Sequence, residues 1–132
     1  MEITIVTIQA RVPVTILRPI GNLDSGSAGY FTETLKKIIE DGVGDVLIDF
    51  SGVPYMSSVG IRCLTAAYDW LHPVHSAEEK KAIGLGMHNG TYKAPHLKLL
   101  HVNENISQVL NMVGLDRYID VFSDERDALA TF

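Results

Sequence analysis

The hydrophobic and polar positions change their period along the chain, and each change predicts a different element. Between residues 2 and 20, Ile, Val and Thr alternate in two runs that are separated by Ala10-Arg11. A period of two is typical of β-strands, so the two runs predict a hairpin. Pro13 lacks a backbone N–H, which indicates that its strand lies at an edge of the sheet or begins there.

Helical spacing begins after a polar loop at residues 21–26. Apolar residues then recur every three or four positions and predict a first helix, which the segment Asp41-Gly42-Val43-Gly44 ends. Val46–Phe50 is a nearly continuous apolar run and predicts a central strand covered on both faces. A second helix is predicted from about Ser58, because apolar positions again follow the helical period.

The last third of the chain repeats this alternation. Residues 97–102 predict a strand, and residues 106–113 predict a third helix that Gly114 ends. Tyr118–Phe122 predicts a short final strand, and Ser123 is the predicted N-cap of a last helix. The order β-β-α-β-α-β-α-β-α predicts an α/β domain with a mixed, mostly parallel sheet flanked by helices.

Residues 73–95 interrupt this order, and we interpret them as a loop inserted into a single domain of residues 1–132. Ser76 and Glu79 have the spacing of a capping box ahead of a possible turn of helix. The glycine-rich residues 84–91 have no periodic apolar face and are predicted to be mobile. The insertion either influences partner choice or is a tolerated surface segment.

Composition restricts the classes of function. Hydrophobic residues make up 46% of the 132 residues, enough for a core. The net charge of -5, with no basic cluster, argues against binding to nucleic acid. No apolar run approaches the length of a membrane helix, and the N-terminus lacks a secretory pattern, so a cytoplasmic location is expected. The single cysteine, Cys63, excludes an internal disulfide.

Catalytic and metal motifs are not found. The five histidines are accompanied by no Cys pair and no His-Glu-x-x-His spacing, so neither a metal nor a cofactor is predicted. Ser57 and Ser58 do not lie in a Gly-x-Ser-x-Gly motif, so a nucleophile elbow is unsupported. We therefore expect a binding protein rather than an enzyme, and a hydrolase is the least favoured class.

Three segments carry motifs in a recognisable order. In the segment 46–61, which reads VLIDFSGVPYMSSVGI, a strand ends in Asp and a small polar cluster precedes a helix. Gly21-Asn22-Leu23-Asp24 places a Leu-Asp turn before the first helix, and residues 109–117 contain a late helix and a Gly-Leu turn. Together these segments resemble the STAS domains of bacterial anti-sigma factor antagonists.

This resemblance implies a regulatory module in a partner-switching pathway. In the family, the unmodified antagonist binds an anti-sigma factor that is also a serine kinase, and phosphorylation at the start of the second helix ends the binding. A phosphoryl group adds about -1.5 to -2 charges and would disrupt a packed interface. The resemblance places the partner-binding surface at Asn22, Asp24, Ser25, Tyr55, Met56, Ser57, Ser58, Val59, Gly60 and Arg62.

The sequence departs from the family at the phosphoacceptor. The family's acceptor position is occupied by Val59, and the Asp that usually stands two residues earlier is Ser57. Ser58 and Ser57 are the remaining phosphoacceptor candidates, and helix capping is the alternative role for both. Asp24 is either an Asx-turn residue or a partner contact.

Two other functions remain open. The chain could be a STAS scaffold subunit of a signalling assembly, and a homo-oligomer is compatible with the sequence. A small-ligand module is the second alternative, because free N–H groups at residues 58–60 could hold an anion such as a nucleotide phosphate or a lipid headgroup.

Overall fold

Five strands and five helices form the fold in a computed structural model that describes residues 1–132. The strands are β1 (Glu2–Gln9), β2 (Pro13–Ile20), β3 (Val46–Asp49), β4 (Leu97–Leu100) and β5 (Val121–Phe122). The helices are α1 (Ala28–Glu40), α2 (Ser58–Leu71), α3 (Ala77–Asn89), α4 (Glu104–Val113) and α5 (Glu125–Ala130), with a 3-10 turn at Leu115–Arg117. The predicted α/β class is confirmed, and α3 is added to the predicted order.

The strands form one sheet in the order β1-β2-β3-β4-β5. β1 and β2 are antiparallel and make the predicted hairpin, with Gln9 opposite Pro13. All other neighbouring strands are parallel, and helices supply the crossover connections that parallel pairing requires. Pro13 is the first residue of β2, an inner strand, so its position at the beginning of a strand is confirmed.

Both faces of the sheet are covered, which explains the continuous apolar run of β3. Val46 and Ile48 belong to a cluster of 20 buried residues, to which α1, α2 and α4 also contribute. Leu47 points to the opposite face, where a smaller cluster includes Ala128 of α5. Since successive strand residues face opposite sides, only a strand buried on both faces has three consecutive apolar residues at 0% exposure.

The predicted inserted loop at 73–95 is corrected, because residues 77–89 form helix α3. The capping spacing that the sequence shows does begin this helix: the Glu79 N–H donates to Ser76 Oγ at 3.0 Å. The Glu79 carboxylate in turn accepts the N–H of His75 at 3.2 Å. These bonds pair backbone donors that the first helical turn leaves without partners.

Glycines shape both the interior and the end of α3. Gly90 ends the helix with φ 79°, a left-handed conformation that glycine adopts without strain. Gly86 is buried against Tyr92, and a Cβ on Gly86 would lie 2.8 Å from the Tyr92 Cβ. The glycines that argued for a loop are therefore the residues that end the helix and allow its close packing.

Three smaller differences concern the last third of the chain. β4 ends at Leu100, and its four residues are all buried instead of alternating. The final strand is limited to Val121–Phe122. The N-cap of α5 is Asp124 and not Ser123, since the Asp124 carboxylate accepts the Asp127 N–H at 3.1 Å.

No helix of this fold is both long enough and apolar enough to cross a membrane.

Candidate functional site

Two loops lie side by side at the carboxyl ends of β2 and β3. Residues Leu23 and Met56 form a bridge between them. The Leu23 N–H donates to the Tyr55 carbonyl at 2.9 Å, and the Ser57 N–H donates to the Leu23 carbonyl at 2.9 Å. Because β2 and β3 are parallel, their following loops meet at the same sheet edge. The two predicted recognition segments are therefore adjacent in space.

The first loop is held by bonds within itself. The Asp24 Oδ1 accepts the Gly26 N–H at 3.0 Å, which is the Asx turn that the sequence allows. Ser27 Oγ donates to the Asn22 carbonyl at 2.7 Å. This turn leaves Asn22 and Ser25 exposed at its tip.

The start of α2 uses one of the two candidate serines structurally. Ser57 is the N-cap, and its Oγ accepts the Val59 N–H at 3.3 Å. Ser58 is the first helical residue and is exposed. Ser57 thus has the capping role, whereas the Ser58 hydroxyl faces solvent.

Met56 and Gly60 lie beneath this surface rather than on it. Met56 has no exposed area and Gly60 is also buried, so neither offers a side chain at the surface. A Cβ on Gly60 would lie 2.6 Å from the Met56 Sδ and 3.1 Å from Leu23 Cδ2. Gly60 therefore lets α2 pack closely on the two loops.

Val59 and Arg62 face a groove between α1 and α2. The groove has a volume of about 420 Å³ and is also lined by Glu33 of α1. Val59 is partly buried there, while Arg62 is exposed. The lining thus carries one charge of each sign beside the family's acceptor position.

A second groove lies between the start of α2 and α4, and sequence reasoning missed it. It measures about 240 Å³ and is mainly apolar, with Tyr55 and Ile61 on one side and Met112 and Val113 on the other. Met112 is 85% exposed and Val113 58% exposed. The signal available in the sequence was the pair of consecutive apolar residues Met112 and Val113 at the end of the predicted third helix.

Two asparagines of the α4 region hold the second loop in place. The Met56 N–H donates to Asn105 Oδ1 at 3.0 Å, and Asn103 Nδ2 donates to the Pro54 carbonyl at 3.0 Å. Asn103 is also the N-cap of α4. Sequence reasoning missed these positioning residues because their partners lie 49 residues away along the chain, where no local pattern connects them.

Asp49 anchors the second loop where β3 ends. Its Oδ1 accepts the Ser51 N–H at 2.9 Å and lies 3.1 Å from His101 Nδ1, and its Oδ2 lies 3.3 Å from Arg18 Nε. Burial raises the pKa of Asp49, but the hydrogen bonds from Ser51 and His101 outweigh it and hold the pKa below the ordinary value. The carboxylate is therefore ionised at neutral pH.

A comparison with protein families shows to which family this chain belongs. Residues 5–73, just over half of the chain, match the family model of the STAS domain. The chain belongs to the STAS family. The match includes most of the hairpin, both loops of the site and all of α2, and it ends just before α3. No curated protein matches this STAS chain.

Solved structures share the fold of this STAS protein. An anti-sigma factor antagonist from Mycobacterium paratuberculosis has a TM-score of 0.70 and 19% identity, over 97% of this chain and 92% of that chain. The unphosphorylated form of the anti-sigma factor antagonist SpoIIAA has a TM-score of 0.67 and 16% identity, over 96% and 92%. The phosphorylated form of SpoIIAA from Bacillus has a TM-score of 0.61 and 16% identity, over 96% of each chain.

Proposed function

We propose that this STAS domain is a regulatory module that binds a cytoplasmic anti-sigma factor or a related serine kinase. Its binding surface combines the 22–25 loop, the exposed residues Tyr55 and Ser58, and the Val59–Arg62 side of α2. The observation that carries the proposal is the adjacency of these segments at one sheet edge. Membership of the STAS family, and the fold shared with anti-sigma factor antagonists, support it.

The regulation of this binding differs from an ordinary partner switch. Val59 stands where the family resemblance places the acceptor, and valine has no hydroxyl to phosphorylate. Ser57 is engaged as the cap of α2. Ser58 is the best remaining acceptor, but it precedes the acceptor position by one residue and so points about 100° away around the helix. We infer that the domain binds its partner constitutively with respect to phosphorylation at Val59.

The groove beside Val59 explains what a charge would do there. Val59 shares this groove with Glu33, which would repel an added anion, and with Arg62, which would attract it. A charged group must also lose its water when a partner covers the surface. Within a binding interface, this desolvation and repulsion weaken the complex.

The test is a binding titration of Val59→Asp against the histidine-kinase-like anti-sigma factor encoded nearest to this protein in its host. We expect the affinity to fall by about thirtyfold or more, because a buried unpaired charge at an interface costs ~2 kcal/mol or more. The matched control is Val74→Asp, which adds the same charge at an exposed valine beyond the C-terminal end of α2. Val74→Asp should bind like the wild type.

Equal affinities for wild type and Val59→Asp would remove the start of α2 from the interface. Intact-mass analysis after incubation with the partner and ATP tests the regulation separately. The wild type should stay unmodified, whereas Val59→Ser should gain one phosphoryl group. Phosphorylation of the wild type at Ser57 or Ser58, with loss of binding, would contradict constitutive binding and restore an ordinary switch.

A further inference from the structure

A chain of hydrogen bonds joins the end of α2 to the segment before β4. His72 Nδ1 lies 2.8 Å from the Tyr68 carbonyl, and His72 Nε2 lies 3.1 Å from the backbone nitrogen of His96. His96 Nδ1 lies 2.8 Å from Asp45 Oδ1, just before β3. A second tie is the 2.8 Å bond between the hydroxyls of Tyr68 and Tyr92.

The partners of His72 determine its protonation state. The Tyr68 carbonyl can only accept, so Nδ1 carries a proton and donates it. The His96 N–H can only donate, so Nε2 must be the unprotonated acceptor. His72 is therefore neutral in this arrangement, and a second proton would set an N–H against the N–H of His96. Both contacts cannot persist when His72 is charged.

We propose that His72 is a proton-sensitive latch, which helps to hold residues 91–96, and with them α3, against the end of α2 at neutral pH and loosens them in mildly acidic conditions. This regulation goes beyond the proposed partner binding, since it concerns the amino ends of the parallel strands, opposite the two loops of the site. The histidine is stacked on Tyr68, with ring centroids 4.4 Å apart, so the closed arrangement fixes its ring as well as its nitrogens.

Helix α3 itself has few attachments. The segment that joins it to β4 is also held by the Ala94 N–H, which donates to the Tyr118 carbonyl at 2.7 Å, and by the His96 carbonyl, which accepts the Val46 N–H at 3.0 Å. Gly86 is the one buried residue of α3, and Leu85 is 57% exposed. A cavity of about 570 Å³ separates α3 from the latch and is lined by Ile83 and by His72. Elements with little buried apolar surface open at low free-energy cost. Loss of the bond between His72 and His96 therefore acts on the least firmly held helix of the domain.

The groups around His72 shift its pKa in opposite directions. Burial lowers the pKa of His72 most, and the nearby His96 lowers it further. The bond to the Tyr68 carbonyl and the charges of Asp69 and Asp45 raise it, but they do not compensate. The remaining titratable groups that face the junction are Tyr92 from the segment before β4, Tyr118 beside Tyr68, and His75 and Glu79 from the approach to α3.

The balance between the closed and open states depends on pH, because the two states bind the His72 proton with different affinities. A histidine with a lowered pKa in the closed state and an ordinary pKa of about 6.5 in the open state binds its proton more readily when open. The closed state therefore has its full stability above about pH 6.5 and loses it as the pH falls below that value. The ratio of open to closed molecules increases by up to about tenfold per pH unit in this window.

Amide hydrogen exchange of the whole protein, between about pH 7.5 and about pH 5.5 on either side of the ordinary histidine pKa, tests the latch. After correction for intrinsic exchange, the amides of His96 and α3 should open up to about tenfold more per pH unit. His72→Gln should remove this response, because its side-chain oxygen can accept the His96 N–H without titrating. His88→Gln, at an exposed histidine of α3, should respond like the wild type.

A response of His72→Gln equal to that of the wild type, or constant protection in the wild type, would overturn the proposal. Nitrogen NMR of the wild-type histidine rings gives a second measurement that needs no variant. We expect the His72 proton on Nδ1 at neutral pH and a pKa for His72 below the ordinary histidine value. A proton on Nε2 at neutral pH would also overturn the latch.

Discussion

At the scale of single residues, Gly60 shows how a missing side chain shapes the proposed binding surface. The space that a Cβ would need is occupied by Met56 and Leu23, one residue from each loop. Both of these residues are fully buried, so neither can move away freely. The absence of a side chain at Gly60 therefore fixes how closely α2 approaches the loops.

Gly60→Ala should destabilise the domain and weaken partner binding. Overpacking costs about 1–3 kcal/mol in a filled core, and the better helix propensity of alanine offsets up to ~1 kcal/mol of this. Gly29→Ala is the matched control, because Gly29 also lies in the first turn of a helix and its added Cβ would meet nothing within 4 Å. Denaturant unfolding should place Gly60→Ala below the wild type and Gly29→Ala at or above it. Equal stability of the two variants would show that the loops can move away from α2.

The residues of the site differ in how far the sequence could reveal them. Ser57 could be predicted as a cap, because capping depends on the local chain alone. The exposure of Ser58 and the burial of Met56 depend on how α2 packs on the loops, and the neighbouring residues in the sequence do not determine this packing. Asn105, which accepts the Met56 N–H, belongs to an element far along the chain. Long-range contacts of this kind leave no local period.

At the scale of elements, the predictions succeeded where burial imposes a period. The apolar run of β3 has to be covered on both faces, and the regular apolar positions of α1 face one large core. α3 has no such face, because it buries one glycine and little else. Its helical state is visible at its ends, in the Ser76 cap and the Gly90 terminus. Reading the capping signal as the start of a complete helix would have identified it.

Ser76→Ala should loosen α3 without unfolding the domain. Loss of an N-cap costs about 1 kcal/mol, and here that cost falls on a helix with little tertiary packing. Amide exchange of residues 77–82 should accelerate by about fivefold, the factor that corresponds to about 1 kcal/mol, while the global unfolding midpoint stays nearly constant. Ser123→Ala is the control, since Asp124 caps α5. Unchanged protection of α3 in Ser76→Ala would mean that tertiary contacts, not the cap, hold its first turn.

At the scale of the whole molecule, α2 connects two sites with different tasks. Its first turn carries the proposed binding surface at the carboxyl ends of the parallel strands, and the proposed latch residue His72 follows its last turn at their amino ends. A helix of 14 residues is about 21 Å long, so the two sites share no contact partners. Distant sites without shared partners usually contribute independently to stability. The latch and the binding surface can therefore be tested with separate variants.

Two groups should dominate the loss of stability in acid, in different pH ranges. The lowered pKa of His72 means that stability is complete above about pH 6.5 and decreases below it. The lowered pKa of Asp49 means that its contribution is present above the ordinary value of 3.8 and is lost as the pH falls through the folded-state pKa. Asp49 joins β3 to β2 through Arg18, and Arg18 Nη2 lies 2.7 Å from the Glu125 carboxylate of α5.

Asp49→Asn should lower the free energy of unfolding at neutral pH by about 1–3 kcal/mol, the usual cost of disrupting hydrogen bonds to a buried charged group. The free energy of unfolding of the variant should also depend less on pH below about pH 4, because no carboxylate at this position remains to be protonated. Glu33→Gln is the control. Glu33 is exposed, so this substitution removes one negative charge without breaking a bond to its neighbours. Urea unfolding at a series of pH values gives both quantities for each variant. If the curve of Asp49→Asn stays parallel to that of the wild type down to the acid limit, Asp49 does not control the acid stability of the sheet edge that supports the binding surface.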